Sequence, residues 1–416
     1  MKKPFSLLLS ILILLLSLLP CAAAAGPEEV FGAAETIVGY KKSALGLSPE
    51  EKLFAGDFLK TAGSTAGDWY PFGLAALGLE DDFDAYLRAL RANVRERYEA
   101  DGTLSENKAT EWHRITLAAL SCGADPTRFC VTAAGEPVDL IADGVFYRKN
   151  VGRQGINGYI WALIALNTRD YAAPPDAINT KETLLAALLE KQLQNGGWAA
   201  AGDAADVDLT AMALIALAPL TQNNAEAKTA AEKAVSCLSS LQTETGGYVN
   251  GGVENCESCA VALTALCCLG IDPDTDARFL KNGRSLLNAL LSYRLEDGSF
   301  THAFVADPEN PAAEPLTPND MSCQQALYAL AAFYHLRADG KNIFDFSNAP
   351  LSDAGWDVLP KAPSKARKAA ESLGKKLSDF FADAKNRKTA VAAALALVTL
   401  AGAAALIVRR RRRRKA

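Results

Sequence analysis

The feature that most constrains this chain is a short apolar helical segment written six times. Residues 69–79, 111–122, 158–167, 207–217, 258–269 and 321–333 are rich in Ala and Leu, with apolar residues at i, i+3, i+4 and i+7. They recur roughly 43–65 residues apart, a period that signals a repeat architecture. Each is apolar on nearly every face, so each must be surrounded by protein. Segments with a more polar outer face alternate with them at 28–42, 81–98, 137–148, 181–194, 225–242 and 276–294, and residues 48–61 read as an extra helix. One buried and one half-exposed helix, alternating six times, is what a closed ring of hairpins requires. An open solenoid is the alternative, but a ring of six closes its own edges without capping repeats.

The turns repeat as well. Residues 192–198 (QLQNGGW) fit Q-x-x-x-G-x-W, and residues 242–248 (QTETGGY) fit with Tyr for Trp. Residues 294–300 and 98–104 are degenerate copies. Glycine after an outer helix serves as its left-handed C-cap, which places Gly196, Gly246 and Gly298 at helix ends. The aromatic that follows packs over the joint. These turns resemble the QW repeats of the squalene cyclase and protein prenyltransferase superfamily, whose members are α/α toroids. The resemblance covers roughly residues 28–346. With its two ends included, the chain is similar to prenyltransferase/squalene-oxidase-repeat surface proteins of anaerobic gram-positive bacteria. More distantly it resembles the cobalamin carriers intrinsic factor and transcobalamin, and a cobalamin-type ligand is implied by that resemblance alone.

Asp206-Val207-Asp208-Leu209-Thr210-Ala211 resembles the DxDD-T-A signature of squalene–hopene cyclases. The resemblance puts Asp208 on the proton donor and Leu209 where the third acid belongs. Read from the residues themselves, Asp206 and Asp208 cap an inner helix, where carboxylates meet free N–H groups and the positive end of the dipole. Glu257-Ser258-Cys259 sits where protein prenyltransferases carry the D-x-C that supplies two zinc ligands, but Asn319-Asp320-Met321 stands where their histidine ligand belongs. No metal site is therefore expected. No H-E-x-x-H, P-loop or G-x-S-x-G is present.

In a toroid the six inner-helix starts gather at one end. That mouth would bring together the carboxylates Asp68, Glu111, Asp206, Asp208, Glu257 and Asp320 with the aromatics Trp69, Trp112, Tyr159 and Trp161. Acids and flat aromatics around a concavity suit a small-molecule or peptide pocket. A non-catalytic binding module is the expectation. The alternatives are a terpene-cyclase-like or carbohydrate-active enzyme using Asp208 with Asp206, and a structural spacer or adhesin whose ring is filled by side chains.

The ends suggest where such a module works. Lys2 and Lys3, an apolar run and the small residues of 22–25 make residues 1–25 a signal peptide. Residues 389–408 carry no charge and are followed by seven basic residues, so they read as one transmembrane helix with residues 409–416 as a basic cytoplasmic tail. The ectodomain spans 26–346, and residues 347–388 form a linker and basic stalk. The chain is −5 overall, but the tail contributes +7, Lys2 and Lys3 +2 and residues 361–388 +6, leaving −20 on residues 4–360. So acidic a domain excludes nucleic acid as partner, since phosphate binding needs basic surface. Beyond Cys21, eight cysteines lie between Cys122 and Cys323, too sparse for a disulfide scaffold. Cys256-x-x-Cys259 stays open between buried thiols, a bridge and half a metal site. The expected fold is thus all-α, an α/α toroid of six outer–inner helix pairs followed by a stalk and one transmembrane helix, held at a membrane and facing an unidentified extracellular ligand.

Overall fold

The computed structural model describes residues 26–352 and 354–358. Eleven α-helices occur among them: α1 (Pro27–Ala44), α2 (Trp69–Leu77), α3 (Phe83–Asp101), α4 (Thr110–Ser121), α5 (Ile156–Asn167), α6 (Lys181–Glu190), α7 (Val207–Leu217), α8 (Ala225–Leu241), α9 (Cys256–Cys268), α10 (Leu286–Ser292) and α11 (Asp320–Ala338). The six apolar segments are the inner helices α2, α4, α5, α7, α9 and α11. Each packs on the next, and α11 packs back on α2, so the ring closes. Alanine-rich faces let these helices approach closely, and in α9 every residue from Cys256 to Cys267 is buried. The outer helices are one-sided: α8 buries Ala227, Ala230, Ala231, Ala234, Val235 and Leu238 and leaves its other face to water.

The extra helix and two of the expected outer elements are not formed as read. Residues 48–61 contain only the 3₁₀ turn Phe58–Thr61. There the Asp81 carboxylate takes the N–H groups of Leu53 and Phe54, and Gly56 turns the chain at φ +51°. Residues 137–148 form part of a two-stranded hairpin (Cys130–Val131 with Pro137–Val138) and one π-helical turn, Ala142–Phe146. Residues 276–294 hold α10 and a separate 3₁₀ turn, Ala277–Phe279, because Asn282 and Gly283 both adopt positive φ and break the helix. The toroid therefore has six inner helices, five α-helical outer partners and a π turn in the remaining place. The other paired strands among the described residues are Val249–Asn250 with Val253–Glu254.

The glycines of the turns also act differently. Gly196 lies six residues beyond α6, inside a tight turn where its N–H reaches Leu193 O at 2.9 Å. Gln192 closes the joint by donating to Gly196 O at 2.8 Å and to Ala230 O of α8 at 2.9 Å. Gln242 repeats this on Gly246 O (2.8 Å) and Phe279 O (3.0 Å). A Cβ at Gly196 would stand 2.6 Å from Lys233 O, and one at Gly298 would stand 2.8 Å from Thr36 O in α1. The turns of Gly196 and Gly298 thus press on the next outer helix, and the last meets the first. Of the four copies, Gly102 is the one that caps its helix, at φ +68°. Gly298→Ala should cost at least about 1–3 kcal/mol, the strain of a positive φ, plus the Thr36 clash. Gly340→Ala, with φ +71° and open space around it, should show the strain alone. Urea unfolding of the two variants separates these contributions.

The chain does not leave the ring at residue 346. Phe346 N–H bonds Thr168 O at 2.9 Å after α5, Ser352 N–H bonds Gly123 O at 2.8 Å after α4, and Arg91 reaches Ala354 O at 2.8 Å. This C-terminal segment crosses the end where the inner helices finish and leaves the starting end open. Among the described residues no helix is long and apolar enough to cross a membrane. The expected signal peptide (1–25), the rest of the stalk, the span 389–408 and the tail lie outside the described residues. The eight cysteines are free thiols, six of them buried, and Cys256 and Cys259 form no bridge.

Candidate functional site

At the open end lies a cavity of about 320 Å³, walled by α2, α5, α7, α9 and α11. Trp69 meets Trp161 at 5.5 Å between ring centroids and Tyr328 at 5.6 Å, making one continuous aromatic wall. Asp208, Asp320 and Gln324 supply its polar groups. Four of the ten expected site residues line this cavity: Trp69, Trp161, Asp208 and Asp320.

Asp206 and Asp208 divide the work that the motif suggested they share. Asp206 is the N-cap of α7 and accepts from Leu209 N–H at 2.8 Å. Asp208 caps nothing. It accepts from Ser258 Oγ of α9 at 2.6 Å, and burial pushes its carboxyl up to about 6, with the charges of Asp206 and Glu257 adding to the rise. A raised carboxyl pKa means the folded state holds the proton more tightly than the unfolded chain, whose value is near 3.8. Stability is then lost as pH climbs from about 4 through about 6. Asp208→Asn, which keeps an acceptor for Ser258, should stabilise the protein by about 1–3 kcal/mol at pH 7 and give no advantage at pH 3.5. Thermal melts at the two pH values check the sign.

The remaining acids hold the ring together. Asp320 Oδ1 accepts from Lys41 at 2.5 Å and Tyr70 OH at 3.0 Å, and its Oδ2 accepts from Gln324 Nε2 at 3.0 Å, which ties α1 and α2 to α11. Glu257 is buried and bonded to Ser322 Oγ (2.7 Å) and to His302 Nδ1 (2.8 Å), whose other nitrogen meets Asp307 at 2.9 Å. Hydrogen bonds to Glu257 and Asp307 raise His302 to about 9, so it is an imidazolium at neutral pH. Asp68 is buried behind the mouth and receives Gly63 N–H, Tyr86 OH and Arg114 Nε at 2.7–2.8 Å. Glu111 grips Arg114 (2.7 Å) and Arg97 (3.0 Å). Burial opposes charge on Arg114, but hydrogen bonds from it to Glu111 and Asp68 hold its pKa above the ordinary arginine value.

The other two aromatics face elsewhere. Trp112 is buried, with its indole N–H on Tyr98 OH at 2.9 Å and the Arg148 guanidinium 4.2 Å from its ring, in a separate cleft beside Asp143. Tyr159 lies against Gly152, where a Cβ would come 2.2 Å from its hydroxyl. Gln324 and Tyr328 were not read as site residues. They follow Asp320 at i+4 and i+8 in α11, so the helical period from Asp320 was the available signal.

The comparison with known families agrees with this geometry. Residues 153–250 match the model of the prenyltransferase alpha-alpha toroid domain, and the overlapping residues 203–314 match it again. The ring is a prenyltransferase-like α/α toroid. No curated protein matches the chain. The toroid's residues do not fit the zinc site of the prenyltransferases. Cys259 is buried with its thiol raised to about 12, and it accepts the backbone N–H of Tyr248. Thr210 and Cys323 do the same for Trp198 and Phe300 at the equivalent turns. Cys259 is thus a joint in the repeat, and the Glu257 oxygens are already taken by His302 and Ser322.

Proposed function

We propose that this toroid is a binding module for a small molecule with an apolar body, held outside the membrane by residues 389–408. The observation that carries it is the cavity itself, in which one aromatic wall, two carboxylates and a buried amide converge at the open ring end. A volume of about 320 Å³ falls at the lower edge of ordinary ligand pockets, and a ring filled by side chains, as a spacer would have, leaves no such space. A thermal-shift screen of small molecules on the full-length protein tests it. Ligands should raise the melting temperature, with about 2.7 kcal/mol of stabilisation at 100 times Kd, and the gain should vanish in Trp161→Ala. Hits that Trp161→Ala leaves unchanged would place binding elsewhere. For the anchor, a tag after Ala416 should be protected from protease in intact cells while residues 26–358 are cleaved.

A second reading is favoured by one observation. The raised Asp208 carboxyl, hydrogen-bonded in an aromatic-walled cavity, has the protonation a general acid needs near pH 6. If Asp208 protonates a polyene, the purified protein should convert one, and Asp208→Asn should abolish turnover while leaving binding intact. The absence of a third acid at Leu209, and of any evident partner to reprotonate Asp208, weighs for binding over turnover.

A further inference from the structure

The loops that lead into α9 and α11 reach the cavity. Asn250 bonds Asp208 on the cavity wall, and Met321, the second residue of α11, lines the cavity while standing 57% exposed. The two loops also touch, since a Cβ at Gly251 would stand 3.3 Å from Glu309 Oε2. Ten large apolar side chains are exposed among the described residues. Five of them lie on these loops and the first turn of α11: Val249, Phe304, Val305, Leu316 and Met321. Exposed apolar residues scattered singly are ordinary, whereas a group of them beside a cavity marks an interaction surface. Leu316 adds to this. It is held at φ +56°, with its side chain 59% exposed and its N–H on Ala303 O at 3.2 Å. A leucine in the left-handed region is strained, and this one buries little in return.

The charge around this shelf has one sign. Residues 192–206, 243–255 and 295–319, the stretches before α7, α9 and α11, contain no lysine or arginine. Glu309 and Glu314 are exposed, and Glu254 meets the Thr245 hydroxyl at 2.8 Å. The His302 imidazolium in these loops is buried and already shared by Glu257 and Asp307. The rim before α4 and α5, by contrast, carries Lys108, Arg148, Lys149 and Arg153.

We propose that the mouth docks a cationic peptide segment. One apolar side chain fills the cavity against Trp69 and Trp161, its apolar neighbours lie on Phe304, Val305 and Leu316, and its lysines or arginines face Glu254, Glu309 and Glu314. This rests on the cavity binding an apolar body, and makes that body part of a longer chain. A free molecule that fits about 320 Å³ leaves the shelf uncovered. An anionic partner meets like charge there, and charge complementarity decides between partners.

Fluorescence anisotropy of labelled peptides on the full-length protein tests this. The probes are a hexapeptide of two lysines, tryptophan, leucine and two lysines, a twin with glutamate for every lysine, and a twin with alanine for tryptophan and leucine. The first should bind at least tenfold more tightly than either twin, and more weakly as salt is raised. Leu316→Gly, which suits the positive φ, should melt no lower than the unmodified protein and still weaken the first peptide at least threefold. Glu309→Gln with Glu314→Gln should weaken it by a similar factor, and Trp161→Ala should bring it to the level of the alanine twin. Equal binding of the glutamate twin would overturn the charge assignment. Unchanged binding in Leu316→Gly would overturn the shelf, and unchanged binding in Trp161→Ala the use of the cavity. Sedimentation with phosphatidylcholine vesicles in place of peptide binding would make the shelf a lipid contact and overturn the peptide. If no peptide binds while small molecules still do so through Trp161, the peptide fails and the cavity remains a binding site. Failure of both would contradict the binding function as well.

Discussion

Trp198→Ala should destabilise the toroid by about 3–5 kcal/mol, the cost of removing a large buried aromatic. Trp198 is fully buried at the joint between α6 and α7, and its indole N–H bonds Leu188 O at 2.8 Å. Truncation leaves a void that two packed helices cannot collapse into, and takes from Leu188 O one of its two donors, the other being Lys191 N–H at 3.2 Å. Its backbone N–H, held by Thr210 Oγ1 at 3.0 Å, is untouched, so the turn itself should persist. Trp161→Ala, at the cavity wall, should cost far less because that side chain already meets open space. Urea unfolding of both variants gives the contrast. A loss below about 1 kcal/mol for Trp198→Ala, the size of a surface effect, would mean that the joint is not packed as described.

Arg114→Met should cost a similar amount, about 3–5 kcal/mol, for an electrostatic reason. The Arg114 and Asp68 side chains are 6% and 0% exposed, so removing the cation strands a carboxylate in the dry interior. Asp68 in that variant should take up a proton to escape the penalty. Burial already holds the Asp68 carboxyl above its ordinary value with Arg114 beside it; without the cation it rises further, and the variant should lose stability more steeply as pH rises from 5 to 8. Arg114→Met with Asp68→Leu should recover much of the loss, since replacing a whole buried pair by apolar groups is often close to neutral. Equal stability of Arg114→Met and the unmodified protein at pH 8 would show that the pair is hydrated.

How much of this was legible depended on range. The six inner helices could be read because burial on every side leaves a local record, uninterrupted Ala and Leu at helical spacing. Trp198 as a packed joint could be read because its heptapeptide recurs. The cap at Asp206 is likewise local, a carboxylate three residues before the N–H it accepts. The outer layer was harder. Residues 48–61 and 276–294 carry helical composition, but a distant carboxylate (Asp81) and two positive-φ residues (Asn282, Gly283) decide their conformation. At the mouth, charge type was visible and pairing was not. Asp68 has its cation 46 residues away and Glu257 has its imidazole 45 residues away, so neither could be told from Asp208, which faces the cavity. Trp112 and Trp161 look alike in the sequence. Their fates differ because Tyr98 and Arg148, from the outer layer, cover the first.

The most direct test of the central claim is a crystal structure of the protein with the tightest ligand from the thermal-shift screen. The ligand should lie at the ring end where the inner helices begin, its body against Trp69 and Trp161 and a polar group within hydrogen-bond reach of Asp208. A ligand bound instead in the cleft of Trp112 and Asp143, or a ring end closed by its own side chains, would contradict it.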